Sequence, residues 1–135
     1  MKKLRIVVAE PGKPAEIREI DNTFQAMQAL VGGHLECLPI WSGHDLWINE
    51  EGKLLGLEPN RMIATANGDG SAWDVVGTLF VADNDDGETV SLSVEAAEAL
   101  VIALNAGAND GLLCRPLLAS EVQEPSFTVT EWKDE

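Results

Sequence analysis

Short turn-forming segments separate most of the apolar runs in this sequence, and their length decides the fold class. The segments "PGKPA", "WSGHD", "EEGK" and "NDDGET" each leave room for little more than a hairpin connection. A doubly wound parallel sheet would need a crossover helix between most strands, and the sequence lacks those helices. The sequence therefore predicts an α+β fold, with a largely antiparallel sheet and two helices packed on one face.

The apolar patterns place the individual elements of that fold. Two helices are predicted: "DNTFQAMQALVGG", capped by Asn22, and "SVEAAEALVIALNAG", which begins at Ser93 and ends at Gly107. The predicted strands are "LRIVVAE", "EIREI", "HLECLPI", "LWIN", "RMIATA", "VVGTLFVAD" and a final edge strand "SFTVTEW". We expect "VVGTLFVAD" to be one continuous strand and "NDDGET" to be a turn.

Length and composition favour one domain of ordinary globular type. A chain of 135 residues can bury one core, so we expect residues 1–135 to fold as a unit. Its apolar runs fall far below the roughly 18 residues of a membrane-spanning helix, and the start "MKKLRIVVAEPG" is no secretory signal. Cys37 and Cys114 form no CxxC motif, which favours free thiols in a cytoplasmic protein over a single disulfide.

Negative charge is the strongest bulk signal. The chain has 23 acidic and 9 basic residues, a formal net charge of −14, with no Lys or Arg between Arg61 and Arg115. Such a surface repels phosphate backbones, so we expect no direct binding to nucleic acid. It can attract a basic protein surface, or simply keep the protein soluble. The predicted acidic surface comprises Asp69, Asp74, Asp83, Asp85, Asp86, Glu88, Glu95 and Glu98, with Asp110 further along.

Motifs of known catalytic chemistry are missing from the sequence, which has no G-x-S-x-G, P-loop or H-E-x-x-H. "DNDDGETVSLSVE" has the composition of a calcium loop, but aligning Gly87 with the required glycine puts Ala82 in the first ligand position. His34, Glu36 and His44 could approach one another on a hairpin, yet their spacing indicates exposed histidines rather than zinc ligands. We therefore predict no catalytic set, no metal and no cofactor.

Aromatic and polar residues in the middle of the chain form the candidate binding site. Trp41 and Trp73 sit beside turn residues, where they can stack on a ligand, anchor a partner or cap a thin core. N-E-E-G-K and P-N-R have turn compositions. In the structural interpretation, Arg61 forms a salt bridge with Glu50 or Glu51. The candidate ligand-binding or partner-binding residues are Trp41, Trp47, Asn49, Glu50, Glu51, Asn60, Arg61 and Trp73.

Four segments together resemble one family. "EPGKPAEIREIDN", "FQAMQALVGGHLE", "INEEGKLLGLEPNR" and "VVGTLFV" are similar to the bacterial and phage family called domain of unknown function 3846. The resemblance covers about residues 5–92, so the stretch from Ser93 onwards lies outside it. It implies a small protein carried by bacteria, plasmids or phages, and it brings no activity and no catalytic residues.

Three functions follow from these features. The first is a non-enzymatic protein that binds a basic surface of a host or phage protein, or associates with itself, and in its sharpest form imitates DNA to inhibit a host enzyme. The second is a binder of a nucleotide-like small ligand, with Arg61 on the phosphate and Trp41, Trp47 or Trp73 on the base. The third, with the least support, is a hydrolase that uses Glu50 or Glu51 with a histidine.

Overall fold

The structure is a computed structural model that describes residues 2–38, 44–65, 72–106, 108–109 and 112–123. Within these residues the strands are β1 (Lys3–Ala9), β2 (Glu16–Asp21), β3 (Leu35–Leu38), β4 (His44–Asn49), β5 (Pro59–Thr65), β6 (Ala72–Val76), β7 (Leu79–Asp85), β8 (Glu88–Val90), β9 (Ala108–Asn109) and β10 (Leu112–Pro116). The helices are α1 (Phe24–Val31), α2 (Gly52–Leu55) and α3 (Val94–Ala106), and a 3₁₀ turn lies at Ala119–Glu121.

The strands form two sheets, and the described pairings are all antiparallel. The larger sheet has the order β2-β1-β7-β4-β3, with β8 also paired to β7. The smaller sheet has the order β6-β5-β10-β9. The predicted α+β class, antiparallel pairing and single compact domain are therefore confirmed. The second sheet was not predicted, because it depends on β10 pairing with β5, which is distant in the sequence.

The central strands β1 and β7 are buried on both faces, because different elements cover each side. On one face, Leu4, Ile6 and Val8 of β1 form one core cluster with Met27 and Val31 of α1. The other face packs against α3 and the smaller sheet in a larger core. The two helices thus lie on opposite faces of the sheet, rather than on one face as expected. The physical reason is that β1 presents apolar side chains in both directions, so each face needs its own cover.

Gly77 divides the predicted continuous strand over residues 75–83 into β6 and β7, which belong to different sheets. Its φ of +77° is a left-handed conformation that favours glycine. Its amide donates to the carbonyl oxygen of Glu58 at 2.7 Å, and a Cβ at this position would lie 2.7 Å from Leu57 Cδ1. The chain can therefore change sheets here because no side chain obstructs the turn.

Local capping signals fix the ends of the helices. Thr23, one residue later than the predicted Asn22, caps α1: its Oγ1 accepts a hydrogen bond from the Ala26 amide at 3.1 Å. Gly32 ends this helix with a φ of +83°. Ser93 caps α3 as predicted: its Oγ accepts a hydrogen bond from the Ala96 amide at 3.0 Å.

Several other expectations are settled by the described residues. Cys37 is exposed and Cys114 is buried, and both are free thiols, so they form no disulfide. The described helices are all too short or too polar to cross a membrane. The turn predicted at "NDDGET" connects β7 to β8, with Asp86 and Gly87 both at positive φ. The predicted edge strand over 126–132 and the helix end at Gly107 lie outside the described residues.

Candidate functional site

Asn49 anchors the turn after β4 to the end of α1. It is 3% exposed, and its Nδ2 donates to the carbonyl oxygen of Val31 at 3.2 Å. Its Oδ1 accepts a hydrogen bond from the Glu51 amide at 2.7 Å, as an Asx turn does. A Cβ at Gly33 would lie 2.8 Å from Asn49 Nδ2, so the glycine pair after α1 makes room for this side chain. Both ends of the Asn49 amide are thus engaged inside the protein.

Glu50 and Glu51 remain exposed beside a cleft of about 540 Å³. The cleft opens between β3 and β6, which are the terminal strands of the two sheets. Leu38, Ile48 and Trp73 form its half-buried apolar floor and pack against the larger core. We call it the acidic cleft, and its principal lining residues are Glu36, Leu38, Ile48, Glu50, Glu51, Lys53, Leu54, Trp73 and Asp74.

The charges of the acidic cleft do not balance. Lys53 Nζ lies 2.8 Å from Asp74 Oδ1, with both side chains largely buried. The two opposite charges of this pair compensate each other. The other oxygen of Asp74 accepts a hydrogen bond from the Gln123 amide at 2.7 Å. Glu36, Glu50 and Glu51 are exposed and form no ion pair with any described residue. The cleft therefore presents three uncompensated carboxylates around an apolar floor, a combination suited to a cation with an aliphatic stem.

P-N-R does not form the predicted turn, because these residues begin β5 with a bulge. The pairing with β6 shifts register between Pro59 and Arg61, and this places Asn60 as an extra residue in the strand. Consecutive residues of a regular strand point to opposite faces, whereas Asn60 and Arg61 are both buried, at 5% and 7% exposure. Asn60 Nδ2 donates to the carbonyl oxygens of Ala9 and Gly77, at 2.9 and 2.8 Å.

Arg61 does not form the salt bridge expected with Glu50 or Glu51, because the bulge turns it toward α3. Its Nε donates to the carbonyl oxygen of Leu104 at 2.9 Å, at the end of that helix. One terminal nitrogen donates to Asn60 Oδ1 at 2.6 Å and the other to the carbonyl oxygen of Lys13 at 3.0 Å. A longer contact of 3.4 Å reaches Asn105 Oδ1. These partners are all neutral oxygens.

A second pocket, of about 500 Å³, lies beside the Arg61 guanidinium. We call it the basic pocket, and its polar lining consists of Lys13, Asn60, Arg61, Asn105, Cys114 and Arg115. Burial lowers the pKa of Arg61 and raises the pKa of the Cys114 thiol, although the Arg61 charge opposes the second effect. At the rim, two hydrogen bonds from Arg115 hold the pKa of Glu121 down to about 2.

The tryptophans do not gather around Arg61 within the described residues. Trp47 stacks on Phe80, with ring centroids 6.5 Å apart, at the edge of the core beneath α1. Trp73 lines the acidic cleft, and Trp41 lies outside the described residues. The structure thus brings Asn49, Glu50, Glu51 and Trp73 to one cleft. It places Asn60 and Arg61 at a separate pocket.

The match to a known family covers every residue of the acidic cleft but only part of the basic pocket, whose residues Asn105, Cys114 and Arg115 lie beyond it. The family model of domain of unknown function DUF3846 matches residues 1–104. The chain belongs to this family. The match continues past residue 92, where the sequence resemblance was expected to end, and it includes α3 up to Leu104. No curated protein and no solved structure matches the chain significantly.

The segments that identify this DUF3846 chain include three structural side chains. Asn49 of N-E-E-G-K and Asn60 and Arg61 of P-N-R are buried and bonded within the protein. Glu50 and Glu51 of the same segments are exposed, so their side chains are available to a partner. Sequence reasoning did not find Lys53 for the acidic cleft, nor the residues that surround Arg61. No local signal marks the latter, because Lys13, Asn105 and Arg115 come from three distant segments.

The predicted acidic surface is only partly an exposed one. Asp74 is paired with Lys53, and Asp83 Oδ1 lies 3.5 Å from His44 Nδ1. Exposed acids occupy the β7–β8 turn and the outer side of α3, whereas Asp69 and Asp110 lie outside the described residues. The exposed members are Asp85, Asp86, Glu88, Glu95 and Glu98.

The histidines lie far apart on the β3–β4 hairpin. The carbonyl oxygen of His34 accepts a hydrogen bond from the Glu50 amide at 2.8 Å, whereas His44 is at the opposite end of β4, beside Asp83. Within the part of the chain that the structure describes, no three His, Cys, Asp or Glu side chains are grouped closely enough to hold a metal ion. The zinc arrangement of His34, Glu36 and His44 is therefore not formed.

Proposed function

We propose that this DUF3846 protein is a non-enzymatic binding domain, and that its acidic cleft receives a basic, extended segment of a partner protein. The observation that carries the proposal is the position of the cleft between two terminal strands, with Glu36, Glu50 and Glu51 uncompensated at its sides. Arginine and lysine side chains match this lining, because their stems can cover Leu38 and Trp73 while their charges meet the carboxylates.

The strand edges favour an extended partner over a helical one. Among the described residues, β3 and β6 each pair with one neighbouring strand, so their outer edges offer backbone N–H and C=O groups. An added strand can take these hydrogen bonds while its alternate side chains enter the cleft. The exposed Leu54, at 54% exposure, adds apolar area to the cleft wall.

The charge of the whole chain selects the kind of partner. A net charge of −14 attracts basic proteins over distances of about a Debye length and speeds their encounter. Two copies of the chain repel each other for the same reason, which disfavours self-association. We propose a host protein with a basic surface as the partner. By analogy, small acidic proteins of mobile elements often act by binding host machinery.

Two double variants with equal changes in net charge test the role of the cleft. A fluorescent ten-residue peptide of alternating arginine and valine is titrated with the protein, and binding is followed by anisotropy at low and moderate salt. We expect Glu50→Gln combined with Glu51→Gln to weaken binding about tenfold, the loss of about 1.4 kcal/mol. The matched control, Glu95→Gln with Glu98→Gln, changes the net charge equally on exposed α3 positions and should retain most of the affinity.

Equal weakening by the two double variants would overturn the cleft proposal and favour an extended, DNA-like acidic surface instead. A second peptide, N-methylated at alternate residues, tests the strand edges. It keeps the charges and loses half of the backbone donors, so we expect it to bind more weakly than the unmodified peptide. Unchanged affinity would show that backbone pairing plays no part.

A further inference from the structure

The basic pocket has a lining whose charge is opposite to that of the protein as a whole. Its ten described lining residues include Lys13, Arg61 and Arg115 and no carboxylate. The chain has only 9 basic residues against 23 acidic ones, so three cations at one pocket are a strong concentration. The pocket thus offers positive potential inside a molecule that otherwise repels anions.

The positive charge of Arg61 is buried without a counterion. The residue is 7% exposed, and it forms no ion pair with any described carboxylate. Carbonyl and amide oxygens accept its hydrogen bonds, but they leave its net charge uncompensated in a poorly solvated place. An anion in the adjoining pocket would supply the missing charge.

The negative end of the α3 dipole is partly compensated at this place. Helix C-termini carry partial negative charge on their last carbonyl groups. Here Arg61 Nε and Cys114 Sγ both donate to the carbonyl oxygen of Leu104, at 2.9 and 3.6 Å. These two donors offset part of the negative charge on that oxygen.

Two further cations at the rim can turn toward a ligand. Lys13 pairs with Glu10 at 3.2 Å and Arg115 pairs with Glu121 at 2.6 Å, and the two basic side chains are 70% and 52% exposed. Exposed ion pairs of this kind contribute little to stability and exchange readily with other partners. Arg115 in particular has the fork of donors that matches a tetrahedral oxyanion.

We propose that the basic pocket binds a phosphate group, either as inorganic phosphate or on a compact phosphate ester. The described lining contains no aromatic ring on which a nucleobase could stack, so the phosphate itself is the recognised group. This site is separate from the acidic cleft, and its ligand does not depend on the partner proposed there.

Thermal unfolding with matched salts tests this proposal on the whole chain. Sodium phosphate, ribose 5-phosphate and AMP are each compared with sodium chloride at equal ionic strength and pH. Phosphate at about ten times its Kd should raise the folding equilibrium constant about elevenfold and raise the unfolding temperature accordingly. Ribose 5-phosphate should act at least as strongly.

If chloride stabilises the protein as much as phosphate does, the proposal is wrong. Much tighter binding of AMP would overturn the assignment to a bare phosphate group.

Three variants locate the effect. Asn105→Asp places a carboxylate beside Arg61 and should abolish the response to phosphate, because the counterion is then internal. Arg115→Gln changes an exposed rim residue and should weaken the response at least threefold in Kd. Arg18→Gln removes a cation outside this pocket, beside Glu10 and Glu16, and should leave the response unchanged. An unchanged Kd for phosphate in Arg115→Gln would overturn the proposal, even if Asn105→Asp proved too unstable to measure.

Discussion

The guanidinium of Arg61 connects three segments that are distant in the sequence. It donates to carbonyl oxygens at the end of α3 and in the β1–β2 turn, and to the side chain of Asn60. Arg61→Met keeps an apolar stem and leaves these acceptors without their donor, at about 1–3 kcal/mol for each buried group left unpaired. We expect a loss of about 3 kcal/mol or more in the free energy of unfolding, measured by urea denaturation.

Arg115→Gln is the matched control for this prediction, since it also removes one arginine from the lining of the basic pocket. Arg115 is exposed, and its pair with Glu121 is accessible to solvent. We therefore expect the midpoint of urea unfolding to change little. Similar losses in the two variants would contradict the structural role assigned to the Arg61 hydrogen bonds.

Sequence reasoning identified Arg61 as a special residue but assigned it the wrong neighbours. The expectation of a salt bridge with Glu50 or Glu51 followed from closeness along the chain. The bulge at Asn60 turns Arg61 toward α3 instead, and a bulge depends on pairing with β6, which no local pattern reveals. The exposed glutamates were accessible to prediction because a turn composition by itself indicates exposure.

At the scale of elements, Gly77 permits the chain to leave the smaller sheet and enter the larger one. An alanine there must adopt φ near +77°, and its Cβ would lie 2.7 Å from Leu57 Cδ1. Left-handed φ alone costs a non-glycine residue about 1–2 kcal/mol. We expect Gly77→Ala to destabilise the protein by more than that amount, because Leu57 must also move, and chemical denaturation gives the value.

Gly12→Ala separates the two causes. Gly12 has a nearly equal φ of +75°, and a Cβ there would meet nothing within 4 Å. Its expected loss of about 1 kcal/mol therefore measures backbone strain alone. The difference between the two variants reports the contact with Leu57. If Gly12→Ala proves as harmful as Gly77→Ala, close packing at the sheet change is not the cause.

The elements themselves were predictable where local signals define them. Caps and glycines mark α1 and α3, and hairpin-length turns mark β1–β2, β3–β4 and β7–β8. The division into two sheets was not predictable, since it depends on β10 pairing with β5 after the whole of α3. The prediction that both helices pack on one face of the sheet was wrong for the same reason. The strand "LRIVVAE" is apolar on both sides, and the sequence of one strand does not show which element covers each side.

At the scale of the whole molecule, few cations oppose a large excess of carboxylates. The described ion pairs involve basic residues near the N-terminus, with Lys53, His44 and Arg115 elsewhere. The exposed acids of the β7–β8 turn and of α3 have no Lys or Arg near them in sequence, since none occurs between residues 61 and 115. Repulsion among like charges favours the expanded chain, so the negative surface that attracts a basic partner also lowers stability.

This balance predicts that added salt stabilises the protein. The Debye length falls from about 30 Å at 0.01 M to about 10 Å at 0.1 M, which screens distant repulsion more than close ion pairs. Between these NaCl concentrations we expect the unfolding temperature to rise by roughly 3–5 °C, about 1 kcal/mol for a chain of this length. The triple variant Asp85→Asn, Glu95→Gln, Glu98→Gln should show a smaller rise in unfolding temperature with salt. Sucrose at equal osmolarity is the uncharged control, and it should stabilise the variant and the unsubstituted protein alike. A fall in unfolding temperature with salt would mean that attraction within pairs such as Lys53–Asp74 outweighs the repulsion.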